Sequence, residues 1–560
     1  MGMGQRRGGG AAAAAAAGAL CGLVELAGFA AAAAAGGGGS WRCVPRHLRL
    51  AVAPEPGAMR VSWTAPSAEC SFEVEYWRTD GAGPRGRVDE AAAGETYGPR
   101  DLCGPSQATD PANFRDPGFF FHAEMVTLDP ATNYNYSVTG YPAGLDARSG
   151  RGLGAGLRSG EKIDAEASSS ALSWFRSAPA VGAPFSMVTF MDVGEPFDAE
   201  PHSPGGFVVT SAATQDVLAG APAPVSAPEY AAQPASALPY SLVLHSGDLS
   251  YARGEGEVWE RWMDMIEPLS SHAPYMISMG NHECLWAGPS SSEGGWGPAP
   301  DFRPVWGQYG NDSGGECCVP AAKRFSAMPG GVLGRTPSPL YQPVPGVETP
   351  PGADGGNPPY WYSFDYGAAH FVIFSTEHDF TPGSEQLSWL ERDLSRVDRT
   401  KTPWVIGSAH RPAYTSFVHL DLQPVSLALA LTLEPLLAKY EVNLMLYGHV
   451  HTYERTCPLR DGECVGSAMG GGGRNVKLQG GTVHVTIGCG GHSLNIGVPT
   501  IKSGWSEVVH VDFGYGRLEV LNASHAAWEF VRVERGAEQP PPSPTRAPEV
   551  LDRTFFQRLP

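Results

Sequence analysis

Charge is scarce in this sequence, and positive charge scarcest. Only 17% of the 560 residues are charged, against ~25% in ordinary globular domains. Lys and Arg number 39 against 58 Asp and Glu, giving a net charge of −19. Duplex nucleic acid is held by Lys and Arg that neutralise phosphates, and anionic membranes attract basic clusters. Neither is an expected partner. After residue 35 no apolar run approaches the ~20 residues of a membrane span. The ten cysteines contain no Cys-x-x-Cys pair, which excludes the usual structural zinc patterns. No internal repeat is visible.

Glycine (71) and proline (50) are abundant, together more than a fifth of the chain. That stops just short of a wholly disordered composition. Hydrophobic residues make up 42% and aromatics 10%, enough for a sizeable core. The length suggests roughly 3–4 domains, interrupted by long loops.

The chain starts with Arg6 and Arg7, an Ala-rich apolar run to Ala35, and then Gly36–Gly39. A basic start, an apolar stretch and small residues at the exit predict a secretory signal over residues 1–38. A signal-anchor is the alternative. Removal of a signal containing Cys21 leaves nine cysteines, so at least one thiol is unpaired. Cys457 and Cys464 are close enough to close a small loop, and Cys70 with Cys103 is a second candidate pair. Sequons at Asn135, Asn311 and Asn522 make N-glycans possible. Together these predict a secreted protein, extracellular or vacuolar, with no membrane span once the signal is gone.

From residue 44 to about 180, short alternating strands are punctuated by turn residues, as in Arg60-Val-Ser-Trp-Thr and Tyr134-Asn-Tyr-Ser-Val-Thr. This predicts an antiparallel β-sandwich that serves as a scaffold. From about residue 183 to 535 solid apolar runs begin at Phe185, Ser241, Pro274, His370, Pro403 and Val442. Such runs suit strands buried on both faces of an α/β sheet. Helical spacing occurs at residues 258–269 and 384–397, with Ser384 as an N-cap. Residues 195–239, 287–302 and 328–359 read as loops, and residues 536–560 as a disordered tail.

Most of these runs end in metal-ligand residue types. The endings are Asp192-Val-Gly, Gly247-Asp248-Leu-Ser-Tyr251, Gly280-Asn281-His282-Glu283, His410-Arg-Pro and Gly448-His449-Val-His451. Ligands in open α/β sheets gather beyond the carboxyl ends of the strands, so these endings converge. Alone, each ending is commonplace: an Asp-x-Gly is usually a turn, and a lone His is usually a hydrogen-bonded loop residue. Their joint occurrence at successive run ends carries the weight. Asp, Asn, His and Tyr without thiolate suit Fe, Mn or Zn. Seven donors exceed one tetrahedral ion and suit two ions sharing Asp248. Paired ions in hydrolases sit ~3.5–4 Å apart and clamp an in-line displacement at phosphorus.

The ordered set resembles the metallophosphoesterase signature, and Tyr251 narrows the resemblance to purple acid phosphatases. Asp248-Leu-Ser-Tyr-Ala-Arg-Gly, Asn311-Asp-Ser-Gly-Gly-Glu-Cys, His410-Arg-Pro-Ala-Tyr and Gly448-His-Val-His-Thr-Tyr-Glu-Arg-Thr-Cys-Pro are similar to the large two-domain plant-type branch. The resemblance implies a fibronectin-like sandwich followed by an α/β catalytic domain, itself a β-sandwich flanked by helices. It implies Fe(III) held by Asp192, Tyr251 and His451, with Asp248 bridging. A divalent Zn, Mn or Fe is then held by Asp248, Asn281, His410 and His449. His282 is implied to contact the phosphate or leaving group. His419, nine residues after His410, matches a second substrate-side histidine in position but not in local sequence.

The implied activity is hydrolysis of phosphomonoesters by a metal-bound hydroxide, with an acidic optimum and a visible tyrosinate–iron(III) band. Small phosphate esters or nucleotides are the implied substrates. A phosphodiesterase or nucleotide pyrophosphatase on the same centre is the alternative. A catalytically silent extracellular metal-binding protein is the alternative from another class.

Overall fold

A computed structural model of the chain describes residues 43–88, 92–103, 106–142, 168–195, 206–219, 238–284, 312–331, 356–418, 422–465, 475–496, 503–533 and 549–558. The predicted signal, Cys21, Asn311 and His419 lie outside these residues.

The N-terminal part contains two antiparallel sheets. One pairs Arg46–Val52, Met59–Ala65, Phe119–Met125 and Ala92–Glu95. The other is built on Ser71–Arg78 and Asn133–Tyr141, flanked by Gly86–Val88, Ser168–Ser169 and Ser173–Arg176. Alternation fixes which side chains face inward: Trp63, Phe72, Val74, Phe121, Tyr136 and Phe175 form one buried cluster. Arg60 Nη1 donates to the carbonyls of Ala327, Met328 and Gly331, and Tyr136 Oη donates to Ser271 O. These buried bonds seat the module on the residues that follow.

Two seven-stranded mixed sheets come next. In the first, Phe185–Phe190, Tyr240–Ser246 and Tyr275–Ser278 run parallel and continue through antiparallel Gly514–Val520 and His525–Arg532. In the second, Ala369–Ile373, Trp404–Ser408, Leu444–Tyr447 and Val483–Ile487 run parallel. The parallel strands Phe185–Phe190, Tyr240–Ser246 and Leu444–Tyr447 are buried at every position, as their unbroken apolar runs require. Helices Gly256–Ser270 and Glu385–Arg396 occupy the stretches with helical spacing, and Ser384 Oγ accepts from Leu387 N at 3.3 Å.

Three expectations are corrected. Helix Gly206–Ala219 stands inside the stretch read as a loop. Its Ala-rich composition concealed an i, i+4 stripe of Val209, Ala213 and Val217, all buried. Strand Glu549–Gln557 stands inside the stretch read as a disordered tail; it pairs antiparallel with His525–Arg532 and parallel with Asn475–Lys477. A buried carboxylate anchors it: Asp552 accepts from Tyr453 Oη at 2.6 Å and from Arg455 at 2.7 and 3.1 Å. Cys70 pairs with Cys43, and Cys103 with Cys317, instead of with each other. Packing between segments distant in sequence, invisible in local spacing, brings those partners together. Cys457–Cys464 closes the small loop as expected, Cys284 pairs with Cys318, and Cys489 is a buried thiol. Among the described residues no helix is long and apolar enough to cross a membrane.

Candidate metal centre

Five strands deliver the donors from their carboxyl ends. Asp192 follows Phe185–Phe190, Asp248 and Tyr251 follow Tyr240–Ser246, and Asn281 follows Tyr275–Ser278. His410 follows Trp404–Ser408, and His449 and His451 follow Leu444–Tyr447. The turns off these strands are sharp. Asp192, Asp248, Tyr251 and His449 have φ of 59°, 52°, 54° and 66°. Left-handed backbone at non-glycine residues costs ~1–3 kcal/mol each and gathers at functional sites. Gly247 adopts φ of 86°, and a Cβ there meets His410 Nδ1 at 2.6 Å. Glycine is therefore required beside Asp248.

All seven predicted donors come together in two groups. In the first, Tyr251 Oη donates to Asp192 Oδ1 at 3.0 Å and lies 3.0 Å from His451 Nε2. His451 Nε2 is 3.4 Å from Asp192 Oδ1. In the second, Asn281 Oδ1 is 2.9 Å from His410 Nε2 and 2.8 Å from His449 Nδ1. Asp248 Oδ2 lies 3.2 Å from His410 Nε2. Asp248, His410 and His449 form a cluster able to hold a cation. The groups are joined where His449 N donates to Asp192 Oδ2 at 2.8 Å.

The donor set fits metal ions. Bonds of ~2.1 Å in an octahedron put neighbouring donors ~3 Å apart, the spacing found in both groups. His410 Nδ1–H donates to Ser246 O at 3.1 Å, which turns Nε2 toward the two oxygens of Asn281 and Asp248. A hydrogen bond from the other ring nitrogen orients a ligating imidazole in this way. Burial alone disfavours the His410 cation, yet Asp248 outweighs it and pushes the group up to about 9. Burial, then Asp192 and Asp248, hold the Tyr251 phenol well above its usual range. Burial, then Arg411, keep His449 neutral, the ligating form. A cation among these groups relieves the crowding of buried carboxylates.

His282 stands beside the second group, its Nε2 4.0 Å from Asp248 Oδ2 and its N donating to Asp248 Oδ1 at 2.9 Å. Several contributors escaped the sequence reading. Glu283 accepts from Asp248 N, Leu249 N and Gly280 N at 2.9, 2.7 and 2.9 Å, so it clasps two ligand turns. Asp312 Oδ2 accepts from Asn281 Nδ2 at 3.0 Å and aims the amide oxygen at the histidines. Arg411, paired with buried Glu377 at 2.8 Å, lies 3.2 Å from His449 Nε2. His492 stacks on Tyr251, ring centroids 3.6 Å apart. Glu283, Asp312 and Arg411 lie within the motifs Gly-Asn-His-Glu, Asn-Asp-Ser-Gly-Gly-Glu-Cys and His-Arg-Pro, where no role was assigned to them, and His492 lies outside every motif.

Donors gathered at strand ends between two mixed sheets define a metallophosphoesterase. Residues 45–150 match the "Purple acid Phosphatase, N-terminal domain", residues 229–453 the "Calcineurin-like phosphoesterase" family, and residues 481–538 the "Iron/zinc purple acid phosphatase-like protein C". The chain belongs to the purple acid phosphatase family. It is 28% identical over 503 residues to a "Probable inactive purple acid phosphatase 27" of Arabidopsis thaliana, covering 88% of this chain and 68% of that protein. It is 31% identical over 303 residues to a "Nucleotide pyrophosphatase/phosphodiesterase" of Hordeum vulgare, covering 53% and 70%. A purple acid phosphatase from yellow lupin seeds superposes with a TM-score of 0.66 at 27% identity, covering 92% of this chain and 75% of that one.

Proposed function

We propose that this protein is an acid phosphatase acting on phosphomonoesters at a two-metal centre. Asp192, Tyr251 and His451 hold iron(III), and Asn281, His410 and His449 hold a divalent Zn, Mn or Fe. Asp248 is shared. The observation that carries this reading is the Tyr251 phenol, 3.0 Å from both Asp192 Oδ1 and His451 Nε2. A phenol between a carboxylate and an imidazole suits a hard trivalent ion. When bound, the ions supply Lewis acidity at the phosphoryl oxygens and lower the pKa of water. The chain's own residues position the donors, and His282 protonates the leaving oxygen. His419, outside the described residues, is retained as a candidate substrate contact.

Four disulfides among the described residues support an oxidising compartment, in keeping with a secreted or vacuolar protein. Asn135 and Asn522 are partly accessible, and N-glycans there belong to the same reading.

The test joins metal analysis to turnover at about pH 5, where iron(III)-activated water remains available. One arm offers an aryl phosphomonoester and the other a bis-aryl phosphodiester. Two metals per chain, one of them iron, with dominant monoester turnover support the proposal. Tyr251→Phe abolishes the visible band. The name of the barley relative favours a second reading, a phosphodiesterase or nucleotide pyrophosphatase, which dominant diester turnover selects. The word "inactive" in the Arabidopsis relative's name favours a third, a silent metal-binding protein. Metals without turnover select that one, and the complete ligand set speaks against it.

A further inference from the structure

A row of rings leads outward from the metal centre. His282, beside Asp248, packs against Tyr251 with ring centroids 4.2 Å apart. Tyr251 stacks on His492 at 3.6 Å with the planes 18° apart. Arg253 closes the row, its Nη2 3.4 Å from His492 Nε2. The arginine is exposed, and among the described residues no carboxylate pairs with it.

The base beneath Arg253 is built. Its φ is 52°, and Gly254 follows at 91°. A Cβ on Gly254 meets Ala108 N at 2.6 Å and Gly314 O at 3.0 Å. Buried Glu316 fixes the turn, accepting from Gly254 N and from Trp259 Nε1, both at 3.0 Å. A strained, doubly anchored turn therefore presents a guanidinium over an imidazole at the outer edge of the site. Strain of this kind persists only where surrounding structure enforces it. Arginine binds phosphate oxygens bidentately and stays charged at every working pH.

We infer that Arg253 and His492 form a second anion subsite that recognises the outer phosphate of a phosphoanhydride whose inner phosphoryl group sits at the metals. This rests on the two-metal phosphatase reading. The shared chemistry is a second phosphate linked to the first, found in free pyrophosphate and in nucleoside diphosphates. Arg253 is a specificity residue: it acts on ligands with two linked phosphates and leaves orthophosphate to the metals.

The experiment uses the purified holoprotein and its Arg253→Met and Arg253→Lys variants. Inhibition constants are measured for orthophosphate, for methylenediphosphonate and for a nucleoside α,β-methylene diphosphate, with calorimetric binding and metal content alongside. Arg253→Met is expected to weaken methylenediphosphonate about tenfold or more, with orthophosphate changed less than about twofold and metal content unchanged. Arg253→Lys recovers part of the loss. The nucleotide analogue is expected to lose affinity in parallel. Equal loss for orthophosphate and diphosphonate overturns the subsite, as does no loss for either. Loss confined to the nucleotide analogue also overturns it, since Arg253 would then read the nucleoside. Wild-type holoprotein that binds none of the three ligands overturns the two-metal reading itself, a separate failure from any of these.

Discussion

Replacing Glu283 by Gln tests whether the ligand turns are clasped by charge. Glu283 Oε2 accepts from Asp248 N and Gly280 N, and Oε1 from Leu249 N. Burial and then Asp248 push the carboxyl up to about 8, while the N–H groups of Leu249 and Gly280 pull the other way, so the comparison is made above that pH, where Glu283 is a carboxylate. An amide retains one acceptor oxygen. With that oxygen on Asp248 N and Gly280 N, the new NH2 group faces Leu249 N–H, donor against donor. One buried N–H left unsatisfied costs ~1–3 kcal/mol. Asp248 is held at φ of 52°, and a loosened turn relaxes away from that strain. Metal binding must then rebuild it, so the cost falls on affinity as a ~5- to 150-fold loss. The assay is competition with a chelator, followed by metals per chain, on variant and wild type. Loss is expected first at the divalent site of Asp248, Asn281, His410 and His449. Unchanged occupancy of both sites refutes the reasoning, because a neutral group would then serve as well as the carboxylate.

Three further outcomes are expected. Ser384→Ala removes the N-cap of helix Glu385–Arg396 and lowers stability by ~1 kcal/mol, read as a lower midpoint in denaturant with activity kept. Cys103→Ser opens the Cys103–Cys317 bridge, which spans 214 residues, and costs ~2–5 kcal/mol; a melting temperature within error of wild type contradicts this. His370 is gripped by Asp365 at 2.7 Å and Asp393 at 2.9 Å. Burial opposes its charge, but both carboxylates outweigh burial and push it up to about 9. Its folded pKa is thus raised, so its stabilisation is full below ~6.5 and is lost as pH climbs through about 9. Asp365 is 47% exposed, which reduces the effect to ~2–3 kcal/mol. His370→Gln should therefore unfold more easily at pH 5 and match wild type near pH 10; equal losses at both pH values reject the linkage.

The convergence of the seven candidate donors was legible because each is written locally. A buried parallel strand reads as an apolar run, and the donor follows within a few residues, often with a glycine that permits the turn. Asp248 after Gly247 and His449 after Gly448 are of this kind. The roles of residues that brace the scaffold around the donors were not legible. Glu316 serves Gly254 from 62 residues away, and Asp552 serves Arg455 from 97. Such partners are chosen by sheet packing, and no local pattern records them. Composition misled in the same way at residues 206–219 and 549–557, where an Ala-rich segment and a polar-looking tail find buried faces on strands distant in sequence.

The family contains proteins named as inactive, so completeness of the donors is one question and readiness of the scaffold another. A chain that kept donors by descent alone has no reason to keep the strain that aims them. Here Asp192, Asp248, Tyr251 and His449 all hold left-handed φ, at ~1–3 kcal/mol each. The total is comparable with the whole net stability of a domain, ~5–15 kcal/mol. Groups with no donor role sustain it: buried Glu283 on two turns, buried Ser246 O on His410 Nδ1, and half-buried Asp312 on Asn281. Loss of the Glu283 or Asp312 side chain lets the backbone relax away from the geometry that aims the donors. A scaffold that retains strain, supports and donors together fits the proposal that its metal sites are filled, and turnover at about pH 5 is the measurement that separates a working centre from a silent one.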